Sequence, residues 1–305
     1  MNAIEIQDVV KTYEKGKVSA LESINFEVRQ GELFGLIGPD GAGKTSLFRI
    51  LTTLLLADSG TASVDGLDVV KDYKAIRQRV GYMPGKFSLY QDLSVEENLN
   101  FFASIFKTTV AENYDLIKDI YVQLEPFKKR KAGALSGGMK QKLALCCALV
   151  HKPTVLFLDE PTTGVDPVSR KEFWGMLKNL KTQGISILVS TPYMDEAGLC
   201  DRIALIQNGQ ILSIDTPEGV IADYQKPLWS IQGPNMYPLL KDLRDYRFTE
   251  RCYAFGESHH LTLTDDEQVG KTEIQAFLAE RNHHDAQISL ITPTIEDCFM
   301  ALMRE

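Results

Sequence analysis

Apolar positions along this chain recur at two different spacings, and the switches between them outline the elements. The run Leu33-Phe34-Gly35-Leu36-Ile37 is apolar throughout and predicts a buried strand, while Leu47, Ile50, Leu51 and Leu54 recur at helical spacing just beyond it. Upstream, residues 4–10 and 21–28 alternate well enough to predict two paired strands. Turn signals at residues 57–60 and at Asp65-Gly66 bracket a short strand over 61–64, predicting a small antiparallel hairpin. Val80-Gly81-Tyr82-Met83 reads as a strand stopped by Pro84-Gly85. The pattern then turns helical: Ser94 with Glu97 forms a capping box that opens a helix through Leu99, Phe102 and Phe106, and a second helix is expected over 111–124. An apolar helix reaches Val150, a buried strand covers Val155-Leu156-Phe157-Leu158, a helix covers 168–181, and another strand covers 185–189. Strands alternating with helices in this way imply right-handed crossovers in a mostly parallel sheet. Gly209 marks another hairpin and Pro217 opens a further helix. From Pro227 onward four short strands, beginning at Trp229, Cys252, His260 and Ile288, and helices near 236–243 and 272–280 predict a compact α+β appendage.

Composition narrows the class. A length of 305 residues accommodates one large domain of roughly 220 residues and a small second one. With 44% hydrophobic and 24% charged residues the chain reads as an ordinary soluble globular protein. No stretch approaches the roughly 20 apolar residues of a membrane span. The start Met1-Asn2-Ala3-Ile4-Glu5 lacks the features of a signal peptide, so a cytoplasmic location is the expectation. A net charge of −8 and a pI near 5.3 provide no basic field for nucleic acid. The run Lys128-Lys129-Arg130-Lys131 is read as a solvated helix end. Five cysteines without regular spacing do not make a disulfide framework, and Cys146 and Cys147 fall in an apolar helix as small buried thiols.

The candidate chemistry centres on Gly38-Pro39-Asp40-Gly41-Ala42-Gly43-Lys44-Thr45, followed by Ser46. Its spacing, G-x-x-x-x-G-K-[ST], is that of a phosphate-binding loop: glycines let backbone N–H groups curl round an anion, Lys44 reaches the outer phosphates, and the Thr45 hydroxyl serves Mg²⁺. A strand before it and a helix N-terminus after it are the context such a loop needs. Leu135-Ser136-Gly137-Gly138-Met139-Lys140-Gln141 opens a helix with two glycines, leaving backbone donors for a second anion. The strand over 155–158 delivers Asp159 and Glu160 at its carboxyl end, where ligands bind in open α/β sheets. Asp159 suits support of Mg²⁺ and Glu160 suits a general base for water; the bland alternative is that the two acids cap the next helix. Tyr13 has a ring able to stack on a base, although a tyrosine between two strands is also ordinary surface. Phe87, Leu89 and Tyr90 are either core or an apolar docking surface. His259-His260 and His283-His284 invite a metal reading, but neighbouring strand residues face opposite ways and no ligand cluster accompanies them.

Taken in order, the phosphate loop, the segment 135–141 and the strand ending in Asp159-Glu160-Pro161 resemble the Walker A, signature and Walker B elements of ATP-binding cassette (ABC) transporters, over residues 4–224. The wording of Gly38 to Thr45 and of Asp159-Glu160-Pro161-Thr162-Thr163-Gly164-Val165-Asp166-Pro167 is most similar to the bacterial multidrug and antibiotic exporter subgroup. The resemblance implies an α/β fold: a P-loop ATPase core with an antiparallel β subdomain and a helical subdomain, spanning 1–225 with the helical part over about 86–150, then a small C-terminal α+β domain over 226–305.

The resemblance further implies ATP and Mg²⁺ as cofactors and a head-to-tail pair of cassettes, a copy or a sister chain, on the inner face of the cell membrane beneath integral permease subunits. Carried over, Tyr13 stacks on adenine, residues Gly38, Pro39, Asp40, Gly41, Ala42, Gly43, Lys44, Thr45 and Ser46 hold phosphates, Thr45 and Asp159 serve the metal, and Glu160 polarises water. Leu135, Ser136, Gly137, Gly138 and Gln141 complete the partner's ATP site, and Val165 and Asp166 lie in the loop that crosses between sites. Two positions depart from the pattern. Gly85 stands where the family has glutamine, and Pro192 where it has histidine. Neither side chain can hydrogen-bond, so the chain's own site is expected to bind ATP and turn it over slowly while its signature completes a competent site on a partner. A soluble non-transport ABC ATPase and a nucleotide-responsive scaffold are the alternatives.

Overall fold

A computed structural model of the chain describes residues 1–264 and 270–303. Two compact units divide it, Met1–Val220 together with the chain from Leu302, and Ile221–Ala301; the helices Pro217–Ala222 and Ile295–Leu302 lie mostly in the first and in the second respectively. The domain expected over 226–305 includes residues 265–269 and 304–305, which lie outside the described residues. Among the described residues no helix is long and apolar enough to cross a membrane.

The first unit begins with β1 (Asn2–Tyr13) and β2 (Val18–Arg29), the alternating pair, then β3 (Leu33–Ile37), the apolar run. Next come α1 (Lys44–Leu51), the hairpin β4 (Ser59–Val64) and β5 (Leu67–Asp68), α2 (Tyr73–Arg79) and β6 (Val80–Met83). The helices α3 (Val95–Ile105), α4 (Tyr114–Tyr121) and α5 (Gly137–Leu149) follow, and then β7 (Val155–Asp159), α6 (Pro167–Thr182), β8 (Ser186–Thr191), β9 (Arg202–Gln207), β10 (Gln210–Asp215) and α7 (Pro217–Ala222). β1, β2, β4 and β5 form an antiparallel sheet ordered β2-β1-β4-β5, and the central sheet is ordered β10-β9-β3-β8-β7-β6. In the central sheet β6, β7, β8, β3 and β9 are parallel and β10 turns back antiparallel. β3, β7 and β8 are buried along their whole length, which is why residues 33–37, 155–158 and 187–189 read as unbroken apolar runs. Between the two sheets Phe26 stacks on Phe34 at 5.3 Å, and on α1 Phe48 meets Phe157 edge-on at 6.0 Å.

The second unit contains β11 (Leu228–Gln232), α8 (Met236–Arg244), β12 (Thr249–Phe255), β13 (Ser258–Leu263), α9 (Lys271–Glu280), β14 (Gln287–Ile291) and α10 (Ile295–Leu302). Its antiparallel sheet is ordered β12-β13-β11-β14. Ile231, Leu261 and Ile288 pack with Leu239 and Leu243 of α8 and Ile274 and Leu278 of α9. The paired histidines part company as strand geometry requires. His259 Nε2 contacts the Met236 carbonyl at 2.7 Å, and His260 Nδ1 contacts Asp297 Oδ1 of α10 at 2.6 Å.

Several elements differ from the sequence reading. The helix expected over 111–124 is only α4, because Thr108 donates to the Glu112 carboxylate at 2.6 Å and Thr109 accepts from the Glu112 amide, making a polar turn in place of the first helical turn. Two helices were not anticipated. α2 buries only Ile76, too little for a periodic signal, and α10 is opened by the pair Thr294 and Asp297, a capping arrangement hidden behind Pro293. Tyr13 ends a long strand rather than lying in a loop. Of the aromatic trio, Leu89 is buried, Phe87 half-buried, and Tyr90 exposed against the edge of Phe101 at 4.8 Å.

Candidate functional site

The phosphate-loop motif occupies the turn from β3 into α1, at the carboxyl end of the parallel strands. Its glycines are there for physical reasons. A Cβ on Gly38 would lie 2.1 Å from the Ile206 carbonyl, and Gly43, at φ +104°, would place one 2.2 Å from the Ala20 carbonyl. The Lys44 side chain folds back over the loop, with Nζ 2.7 Å from the Gly38 carbonyl, 3.0 Å from that of Pro39 and 3.1 Å from Glu160 Oε1. Only 3% of this lysine is exposed, so its ammonium is satisfied by loop and acid rather than by water. Tyr13 reaches the same turn, its hydroxyl 3.1 Å from Ser46 Oγ.

Asp159 and Glu160 emerge from β7 beside this loop. Asp159 is buried and its Oδ1 accepts a hydrogen bond of 2.7 Å from Ser190 Oγ. Glu160 sits in the left-handed region at φ +51°, and its N–H donates to the Ser190 hydroxyl at 3.0 Å and to the Ser190 carbonyl at 3.1 Å. The two acids do not cap the following helix. Asp166 does that, accepting from the amides of Val168 and Ser169 at 3.1 and 3.0 Å, with the Ser169 amide chiefly holding its carboxyl below the usual range.

Of the two substituted positions, Gly85 borders these acids. A Cβ on Gly85 would lie 3.1 Å from the Asp159 carbonyl and 3.8 Å from the Glu160 Cβ. Pro192 follows Thr191, whose carbonyl takes the Gly38 amide at 3.2 Å. Below Pro192 lies a carboxylate that sequence reasoning missed. Glu196 is 2% exposed and accepts from Thr191 Oγ1 at 2.5 Å, from Thr162 Oγ1 at 3.1 Å and from Arg170 Nε at 3.1 Å. The guanidinium of Arg170 also stacks on Tyr193 at 4.3 Å. Ser190 was missed as well; the signal available was a pair of hydroxyl residues, Ser190-Thr191, closing an otherwise apolar strand.

The segment 135–141 lies against the turn at Gly164 and Val165 and the start of α6. Ser136 caps α5 by accepting from the Met139 amide, a Cβ on Gly138 would lie 2.7 Å from Ser169 Oγ, and one on Gly137 would lie 3.7 Å from the Gly164 carbonyl. Leu135 is buried and Val165 lies beside Gly138 and Gln141. One turn on, buried Lys142 ties α5 to α6 through Glu172 at 2.7 Å and to Gln123 after α4. Gln141 also borders a cavity of about 430 Å³ lined by Met83, Pro84, Phe87, Leu89 and Phe102.

The arrangement is that of a nucleotide site, and similar proteins place it in a family. The sequence profile described as ABC transporter matches residues 21–163. The chain is 40% identical over 221 residues to the probable multidrug ABC transporter ATP-binding protein YbhF of Escherichia coli K12. That match covers 72% of this chain and 38% of that protein, so the chain spans well under half of that relative's length. It is 34% identical over 303 residues to Nod factor export ATP-binding protein I of Burkholderia lata, covering 96% of this chain and 98% of that protein. Among solved structures, cbiO1 of Clostridium perfringens, part of the ABC transporter complex cbiONQ, matches with a TM-score of 0.65 at 26% identity, over 73% of this chain and 91% of that one. An ATP-binding cassette in a dimeric post-hydrolysis state bound to ADP and Pi matches with a TM-score of 0.63 at 25% identity, over 70% of this chain and 98% of that one. A relative matched along nearly its whole length, together with a P-loop ATPase fold shared with solved cassettes, means that this chain belongs to the ABC transporter family, as an ATP-binding protein.

Proposed function

We propose that this chain is the ATP-binding and ATP-hydrolysing subunit of an exporter, peripheral on the inner face of the membrane, acting beneath a separate permease and paired with a second cassette. The observation that carries the reading is the convergence of the phosphate loop and Glu160 on the Lys44 ammonium, all at the carboxyl end of β3 and β7. Backbone amides of the loop and the α1 N-terminus bind the phosphates, and Lys44 exchanges its carbonyl and carboxylate partners for phosphate oxygens. That exchange frees Glu160 to orient and deprotonate water. Tyr13, fixed by Ser46, offers its ring to adenine. The hydroxyl of Thr45 and the carboxylate of Asp159 are hard oxygen donors of the kind Mg²⁺ takes, so the residues present fit that ion. Bound there, Mg²⁺ would neutralise charge on the phosphates.

Gly85 and Pro192 bring no side-chain donor to the acids, so the chain's own site holds nucleotide and turns it over slowly, while Leu135 to Gln141 complete the site of the other cassette. A sister chain with glutamine and histidine in these places would give one slow and one fast site. The apolar cavity beside Gly85 suits a permease segment, and exposed Leu54 and Ile105 extend its rim. The names of the relatives, multidrug transport and Nod factor export, support the exporter reading. The test is to purify the chain with the products of its neighbouring reading frames and measure phosphate release. A complex containing an integral membrane protein, with release dependent on Lys44, is expected. Brisk hydrolysis by the chain alone, unchanged by a permease or second cassette, would refute the reading in favour of a non-transport ATPase.

A further inference from the structure

We propose that Ser190 is a positioning residue for the magnesium–nucleotide complex, acting through Asp159 and Glu160; the inference rests on the ATP reading above. Ser190 is fully buried and lies directly opposite Asp159 in the parallel ladder of β7 and β8. A serine hydroxyl has one proton to give and can accept in return, and here both capacities are used on the two acids. The proton goes to Asp159 Oδ1 at 2.7 Å, and the oxygen accepts the Glu160 N–H at 3.0 Å. The first bond fixes the rotation of the Asp159 carboxylate and therefore which oxygen is left for a metal or its waters. The second shares the Glu160 N–H with the Ser190 carbonyl, which takes it at 3.1 Å, and the pair of bonds holds Glu160 at φ +51°, a conformation that a side-chain-bearing residue keeps only when its surroundings hold it. The hydroxyl thus aims the Asp159 carboxylate directly and shares with the carbonyl of the same residue the hold on the Glu160 backbone.

The two substitutions raise the importance of this bond. Gly85 lies against the Asp159 carbonyl and Pro192 follows Thr191, yet neither has a side chain that can hydrogen-bond an acid. Ser190 supplies that service from beneath. Partners of this kind, which orient a ligating carboxylate without touching the ion, alter metal affinity by about 10-fold or more when removed.

The test is a fluorescence titration of the full-length protein with an N-methylanthraniloyl derivative of ATP, once in excess chelator and once against increasing Mg²⁺. For Ser190→Ala, the expected result is unchanged affinity in chelator and an increase of about 10-fold in the Mg²⁺ concentration giving half of the metal-dependent gain. Ser190→Thr, which keeps the hydroxyl, is expected to restore the wild-type response. Ser190→Cys has nearly the shape of serine and a weak donor, so it is expected to behave like the alanine variant even if that variant fails to fold. An unchanged Mg²⁺ response in the cysteine variant would overturn the proposal. So would a loss in chelator equal to the loss in Mg²⁺, because that is general damage to the site. Absence of any nucleotide binding by the wild-type protein would instead overturn the ATP reading on which it stands.

Discussion

Restoring the two departures should speed the chain's own site, and the surroundings of each position say which gains more. Proline holds φ near −65°, a value any residue adopts, so Pro192→His needs no change of backbone. The turn around it is anchored independently of the proline ring, by the Thr191 carbonyl on the Gly38 amide and by Glu196 on Thr191. A regained transition-state contact is worth about 3–4 kcal/mol, roughly 10²- to 10³-fold in rate. Gly85→Gln gains less, because its Cβ would meet the Asp159 carbonyl at 3.1 Å and the β7 end must yield by a few tenths of an ångström. We expect about 10²-fold from Pro192→His, about 10-fold from Gly85→Gln, and less than their product from the double variant, since both side chains would serve the same reacting site. The assay is steady-state phosphate release by the purified chain above its nucleotide-dependent dimerisation concentration, so that a second copy supplies the signature segment. If the double variant binds Mg-ATP as tightly as wild type and is no faster, the two substitutions are not what limits this site.

Lys44→Ala leaves Glu160 without its 3.1 Å partner and removes the cation from the loop, so Mg-ATP affinity should fall by roughly 30-fold or more, read by the same fluorescence titration. In the second unit, burial pushes the Asp297 carboxyl up, but hydrogen bonds from His260, Tyr253 and Thr294 outweigh it and hold the group below the usual range. Such a group adds stability that is fully present above its unfolded value near 3.9 and fades as pH falls through the lower folded value. Asp297→Asn should therefore cost about 1–3 kcal/mol at pH 7, and the gap to wild type should close below about pH 4 in chemical unfolding followed by tryptophan fluorescence. Burial raises the Cys146, Cys147 and Cys200 thiols and pushes Cys252 up to about 12, so a thiol-disulfide reagent at pH 8 should label the native protein slowly and the unfolded protein at once.

Much of this site could be read before any coordinates because its parts are local. A strand, six loop residues, Lys44 and a helix N-terminus are contiguous, and the strand ending in Asp159 and Glu160 announces itself by its apolar run. What the sequence hid is what acts across strands. Ser190 stands 31 residues from Asp159 and Glu196 stands 34 from Thr162, so their bonds depend on the parallel register of β7 and β8 and not on any spacing. Helix α2, with one buried residue, lacks a period long enough to see, and α10 is held by Asp297, whose partners His260 and Tyr253 come from a sheet formed earlier in the chain.

On the proposed reading of one slow site and one served for a partner, the same long-range bonds account for the tolerance of Gly85 and Pro192. If histidine at position 192 were needed to build the turn, its replacement would loosen β8 and, with it, the start of α6. The Glu196 carboxylate prevents this by gathering Thr191, Thr162 and Arg170, which come from the end of β8, the segment after Glu160 and the first turn of α6. Asp166 caps that same helix, and Ser169, beside the cap, packs against Gly138 of the signature segment. The crossing loop and the signature are therefore held by contacts that involve neither Gly85 nor Pro192. In the proposed pairing, chemistry at one site and geometry offered to the other would rest on different residues, so substitution at the first would leave the second standing.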